Sequence, residues 1–102
     1  MKKYNKLIRD NIPEIIKSKG ETSVTHVASD AEYWQHLLIK LAEEVAEYTE
    51  KPSLDEMADI LEVIHAIIDF KNIDQAELER VRQNKKKERG GFSKRLILDE
   101  TN

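Results

Sequence analysis

An all-α fold, a bundle of about four helices, is predicted by three features of the sequence. Apolar residues recur at steps of three and four over two long stretches, capping residues stand at the head of each stretch, and segments that read as extended are confined to short margins. Only residues 22–27 and 93–98 read as extended. At 102 residues a single domain over residues 1–102 is expected, because a second would leave too little apolar surface for two separate cores.

The first helix signal is Arg9-Asp10-Asn11-Ile12-Pro13-Glu14-Ile15-Ile16. Asp10 or Asn11 can cap it, Pro13 suits its first turn, and Gly20 ends it. The run Thr22-Ser23-Val24-Thr25-His26-Val27 is rich in β-branched residues and alternates only loosely, which suits a short strand or an extended connector. From Asp30, read as the N-cap, Trp34, Leu37, Leu38, Leu41, Val45 and Tyr48 form one apolar stripe of the first long helix. Lys51-Pro52-Ser53 stops that helix, and Ser53-Leu54-Asp55-Glu56 matches a capping box that starts the next at once. So tight a connection predicts antiparallel neighbours.

The second long helix, from Leu54 to about Lys71, carries Met57, Ile60, Leu61, Val63, Ile64, Ile67 and Ile68 on nearly half its circumference, so it should be buried on more than one side. A last helix, Asp74 to about Arg89, has Leu78 and Val81 as its main apolar anchors and ends at Gly90-Gly91. Beyond the glycines a short strand is expected between Phe92 and Leu98.

Composition narrows the chemistry. The hydrophobic fraction is 39% and the charged fraction 36%, a balance poor in apolar surface that association into homo-oligomers would relieve. No stretch approaches the roughly 18 apolar residues of a membrane span, and the start MKKYNKLIRD lacks the apolar centre of a signal peptide, so the expected location is cytoplasmic, with no membrane partner. The chain has no cysteine, which leaves oxygen or histidine nitrogen as metal ligands. A net charge of -3 argues against a protein built to grip nucleic acid, and Lys85-Lys86-Lys87 reads as a solvated helix face.

One constellation looks chemical. Glu44 and Glu47 stand three apart on the first long helix, and Glu56 and Asp59 repeat that spacing at the start of the next. On antiparallel helices the two pairs can converge, and like charges so gathered repel strongly without a cation. Mg²⁺, with Mn²⁺ as a substitute, is the expected ion, since it prefers hard oxygen ligands and is commonly shared between carboxylates and substrate phosphates. On a helical wheel at about 100° per residue, Glu56 falls inside the apolar arc beside Ile60 and Val63, where a carboxylate needs a partner. Glu44 lies at the border of its stripe, Glu47 a step farther out, and Glu43 most nearly toward solvent. Glu62 is a lesser candidate. Read singly, each of these carboxylates also fits a plain solvated charge or a capping role.

Glu44-x-x-Glu47 and Glu56-x-x-Asp59 resemble the ExxE and ExxD motifs of the all-α NTP pyrophosphohydrolases, among them MazG, dimeric dUTPases and phosphoribosyl-ATP pyrophosphohydrolase. The flanks Lys3-Tyr4-Asn5-Lys6-Leu7-Ile8-Arg9-Asp10-Asn11-Ile12-Pro13 and Glu88-Arg89-Gly90-Gly91-Phe92 are similar to a subgroup of small MazG-like proteins often labelled phosphoribosyl-ATP pyrophosphohydrolase-like, so the resemblance spans nearly the whole chain. It implies hydrolysis between the α- and β-phosphates of a nucleotide, with Mg²⁺ on Glu44, Glu47, Glu56 and Asp59, and assembly as a dimer or tetramer. The short connector between Glu47 and Glu56 is tighter than in many relatives and leaves less loop to shape a base pocket.

Outside the carboxylates, Lys6 and Arg9 can reach a triphosphate tail through charge-assisted hydrogen bonds, or else pair at the surface with Asp10 or Glu14. Lys94 and Arg95 are similar candidates after the glycines. His26, His36 and His65 show no metal-ligand spacing. Trp34 belongs to the apolar stripe, which leaves Tyr33 and Phe92 as the freer aromatics for stacking. The competing reading in another class is a non-catalytic helical interaction or regulatory module whose acidic face binds a basic partner; Mg²⁺ dependence separates the two. A nucleic-acid role for Lys85-Lys86-Lys87 is a third, and predicts affinity that falls steeply with salt.

Overall fold

The computed structural model describes residues 2–102 and contains four helices, α1 (Ile12–Ser18), α2 (Asp30–Glu50), α3 (Leu54–Phe70) and α4 (Gln75–Arg89), with no strand among the described residues. The all-α expectation holds. The chain divides into two compact units, Met1–Lys71 and Asn72–Asn102, each described by itself.

In the first unit, α2 and α3 form an antiparallel hairpin closed by Lys51, Pro52 and Ser53. The Ser53 hydroxyl accepts from the Glu56 backbone N–H at 3.1 Å, which satisfies one of the free donors at the head of α3. At the head of α2 the cap is Ser29, whose hydroxyl accepts from the Glu32 N–H at 3.2 Å; Asp30, read as the cap from sequence, is the first helical residue. Both residue types cap well, and the backbone decides: Ser29 is extended with φ -68° and ψ 166°. At α1, Asn11 is the N-cap by position, but its side chain makes no capping bond.

Residues equidistant from Pro52 come level across this hairpin, a consequence of its tightness. Near the open end Trp34 stacks on Phe70, with centroids 6.1 Å apart, and Tyr33 meets the same ring edge-on at 5.1 Å. The Lys71 ammonium lies 4.0 Å from the Trp34 ring centroid. Leu37, Val63 and Ile68 are buried between the helices, Leu37 almost completely at 1% exposure. Of the expected stripe on α2, Leu38 and Val45 are exposed, and on α3 so are Met57, Leu61 and Ile64. A two-helix hairpin with a short α1 can cover only one side of α3, so part of its wide apolar arc stays open.

Residues 22–27 form no strand, and the segment is held to α2 by His26 Nε2, 3.0 Å from the Glu32 carboxylate. Strands need a pairing edge, and a lone β-branched run has none.

In the second unit, α4 is capped by Asp74, whose carboxylate accepts from the Glu77 N–H at 3.1 Å. The Glu77 side chain, three residues on, pairs with Arg80. A second pair two residues along, Glu79 with Arg82, holds the Glu79 carboxyl down to about 2 through hydrogen bonds from Arg82 and then Gln83. With Lys86, Lys87 and Arg89 in the last turn facing the negative end of the dipole, such pairs sustain a helix that has little apolar surface. The strand expected over residues 93–98 is absent too: residues 92–95 make a turn in which the Arg95 N–H donates to the Phe92 carbonyl at 3.0 Å, with Arg95 at φ 57°. No helix among the described residues is long and apolar enough to cross a membrane.

Candidate metal centre

Glu44 lies eight residues before Pro52 and Asp59 seven after it, so the hairpin register brings them level. Glu56 stands one turn nearer the connection on the same inward flank of α3, held there by the cap that starts the helix. The result is a group of three carboxylates, Glu44, Glu56 and Asp59, each offering an oxygen within 4.8 Å of the others. Glu44 is buried at 6% exposure, and Glu56 and Asp59 are half-buried.

Two oxygens of this group are buried without a hydrogen-bond partner, Glu44 Oε2 and Glu56 Oε2. A buried carboxylate oxygen left bare loses its hydration and gains nothing in return. The cost is visible at Glu44, whose pKa is raised above the ordinary carboxylate value first by burial, then by the adjacent Glu47 carboxylate and by Asp59, with Lys40 acting in the opposite sense. Lys40 Nζ is 3.5 Å from Glu44 Oε1 and offsets only that side of the carboxylate. An oxygen-only donor set with two bare buried oxygens suits a small hard cation such as Mg²⁺ or Mn²⁺.

The sequence places four ligands here, and the geometry brings three of them together. Glu47 is exposed and outside the triad, although close enough to Glu44 to raise its pKa. The expected order of Glu43 and Glu47 is inverted: Glu43 is the half-buried one, because Lys6 reaches it across the chain with Nζ 3.0 Å from Oε1. That hydrogen bond is the main cause of a lowered Glu43 pKa and a raised Lys6 pKa. Glu62 lies outside the triad, one turn beyond Asp59.

Arg9 donates from Nη2 to Asp59 Oδ1 at 2.7 Å. Neither cation takes the local partners Asp10 or Glu14. Instead the segment before α1 crosses both long helices, Lys6 to α2 and Arg9 to α3, and sets two positive groups at the rim of the carboxylate group. Lys94 is exposed on the turn of the second unit.

No protein-family model matches the chain, and no solved structure does. A stretch of 41 residues is 56% identical to an uncharacterized protein of Mycolicibacterium smegmatis (strain ATCC 700084 / mc(2)155), covering 40% of this chain and 42% of that protein. The match thus spans less than half of either chain.

Proposed function

We propose that the chain is a Mg²⁺-dependent nucleoside triphosphate pyrophosphohydrolase of the MazG-like kind, cleaving between the α- and β-phosphates to give a monophosphate and pyrophosphate, a chemistry suited to clearing nucleotide pools. The observation that carries this reading is the triad Glu44, Glu56 and Asp59, drawn from two antiparallel helices, with two buried oxygens left bare.

In this reading Glu44, Glu56 and Asp59 hold the ion, Mg²⁺ or Mn²⁺. When bound, the ion would neutralise phosphate charge and make water easier to deprotonate. Glu47, unburied and next to Glu44, accepts a proton from the attacking water and orients it in line with the α- or β-phosphorus. Lys6 and Arg9 exchange their carboxylate partners for phosphate oxygens, and their charge stabilises the departing pyrophosphate.

The product pattern tests the reading. With Mg²⁺ and a nucleoside triphosphate, ³¹P NMR should show monophosphate plus pyrophosphate, and EDTA should stop the reaction. Diphosphate plus inorganic phosphate, or no metal-dependent turnover on any nucleotide, defeats it.

The open apolar flank of α3, with Leu54 86%, Met57 38%, Leu61 50% and Ile64 37% exposed, supports a homodimer or a larger homo-oligomer. Sedimentation at micromolar concentration should give a dimer or larger species, and Leu61→Asp should shift it toward monomer. A strict monomer at that concentration contradicts the oligomer.

A further inference from the structure

We infer that an open cleft beside the carboxylate triad reads the hydrogen-bond donor edge of a nucleobase and selects guanine over hypoxanthine and uracil, an inference that rests on the nucleotide reading above. The cleft has a volume of about 410 Å³ and is lined by Asp10, Tyr33, Glu62, His65, Asp69 and Phe70 around the small Ala66. It lies wholly within the first unit.

Its position follows from α3. Asp59, Glu62, Ala66 and Asp69 recur at steps of three and four, so they share one stripe of that helix. The rise from Asp59 to Ala66 is roughly 10 Å at ~1.5 Å per residue. That is about the reach from a phosphate held at Asp59 across a sugar to a base.

The walls suit a flat aromatic ligand. Tyr33, edge-on to Phe70, lines the cleft together with it, and base stacking on aromatic walls is tolerant of base identity. Selection must therefore come from the polar groups. These are dominated by the carboxylates of Asp10, Glu62 and Asp69, none of which is in an ion pair among the described residues, and no lysine or arginine lines the space.

An ionised carboxylate only accepts hydrogen bonds. Uracil and thymine present an N–H between two carbonyl oxygens, so a carboxylate facing that edge meets lone pairs on both sides. Adenine and cytosine set one amino donor beside a ring acceptor. Guanine alone presents N1–H and the N2 amino group side by side, which pair with the two oxygens of one carboxylate. Hypoxanthine keeps the ring and N1–H but lacks the amino group. Glu62 and Asp69 flank Ala66 on the stripe and are the acceptors assigned to this edge.

Nucleoside monophosphates titrated onto the full chain in EDTA, followed by NMR, isolate the cleft from the metal chemistry. GMP should bind saturably, IMP about tenfold more weakly, as befits a solvent-open site that loses one donor, and UMP without saturation. The double variant Glu62→Gln/Asp69→Asn should bring the GMP to IMP ratio close to one. IMP or UMP binding as tightly as GMP, no saturable binding of GMP, or a ratio indifferent to the double variant overturns the inference. Triphosphate turnover that is Mg²⁺-dependent but blind to the base, joined to any of those results, leaves the hydrolase reading standing and removes only the selectivity. Selective GMP binding without turnover of any triphosphate does the reverse.

Discussion

Glu44→Gln and Asp59→Asn should each lower Mg²⁺-dependent hydrolysis by about three decades while the helices persist. At about 4 Å, one unit charge acting on another is worth ~4 kcal/mol at an effective dielectric near 20, and each decade of rate corresponds to ~1.4 kcal/mol. Both substitutions keep the size of the side chain and an acceptor oxygen, so the loss reports the missing charge. A second readout separates this from misfolding. The pKa of Glu44 is raised in the folded chain, mainly by burial, so its contribution to stability is fully present below the ordinary carboxylate range and is lost as pH rises through the raised value. The amide of Glu44→Gln mimics the protonated acid. In EDTA at neutral pH the variant should therefore melt higher than the parent, and the gap should close as pH falls toward 4. Added Mg²⁺ should raise the melting temperature of the parent more than that of the variant. Full activity of both variants at saturating Mg²⁺, or a Glu44→Gln protein that is less stable than the parent without metal, removes the proposed ion site.

How far the sequence foretold this arrangement depends on the range of the interactions. The two long helices and their antiparallel pairing are legible because an apolar stripe, a stop at Lys51-Pro52-Ser53 and a Ser53 cap are all local signals. The Glu56 result was legible too, since its place inside the apolar arc announces a carboxylate short of partners, and Glu56 Oε2 is bare. The ranking of Glu43 and Glu47 was not, because Lys6 reaches Glu43 from 37 positions away and no helical wheel contains that contact. The pairing of Arg9 with Asp59 spans 50 positions and was equally out of view. Residues 22–27 and 93–98 form no strand for a related reason: the β-branched run at 22–27 and the apolar Leu96-Ile97-Leu98 show what a segment tolerates, whereas a strand requires a partner. The cleft is not legible in the sequence because its lining comes from three separated segments, the lead into α1, the head of α2 and the far half of α3. In the sequence Asp10 reads as a helix cap or ion-pair partner, Glu62 as a lesser ligand candidate and Tyr33 as a free aromatic, with nothing to join them.

Lys6→Ala and Arg9→Ala should each lower kcat/KM for a nucleoside triphosphate by roughly one to two decades while metal binding survives. Both cations sit at the rim of the carboxylate group, Lys6 at 3.0 Å from Glu43 and Arg9 at 2.7 Å from Asp59, on side chains 41% and 58% exposed. Exposed pairs of this kind contribute little to stability, so neither cation is explained by holding the fold together. Their removal should thus leave the melting temperature nearly unchanged. Arg9 also competes for an oxygen of Asp59, one of the three candidate ligands. Its loss should leave Mg²⁺ affinity unchanged or somewhat higher, whereas the triphosphate loses a donor that suits two phosphate oxygens at once. Arg9→Lys should recover only part of the rate, because the ammonium supplies the charge without the planar fork. Isothermal titration with Mg²⁺ and steady-state kinetics on the same preparations make the distinction. Wild-type kcat/KM in both alanine variants assigns these cations to structure alone, and a parallel collapse of Mg²⁺ affinity shows that they shape the ion site instead of receiving the phosphates.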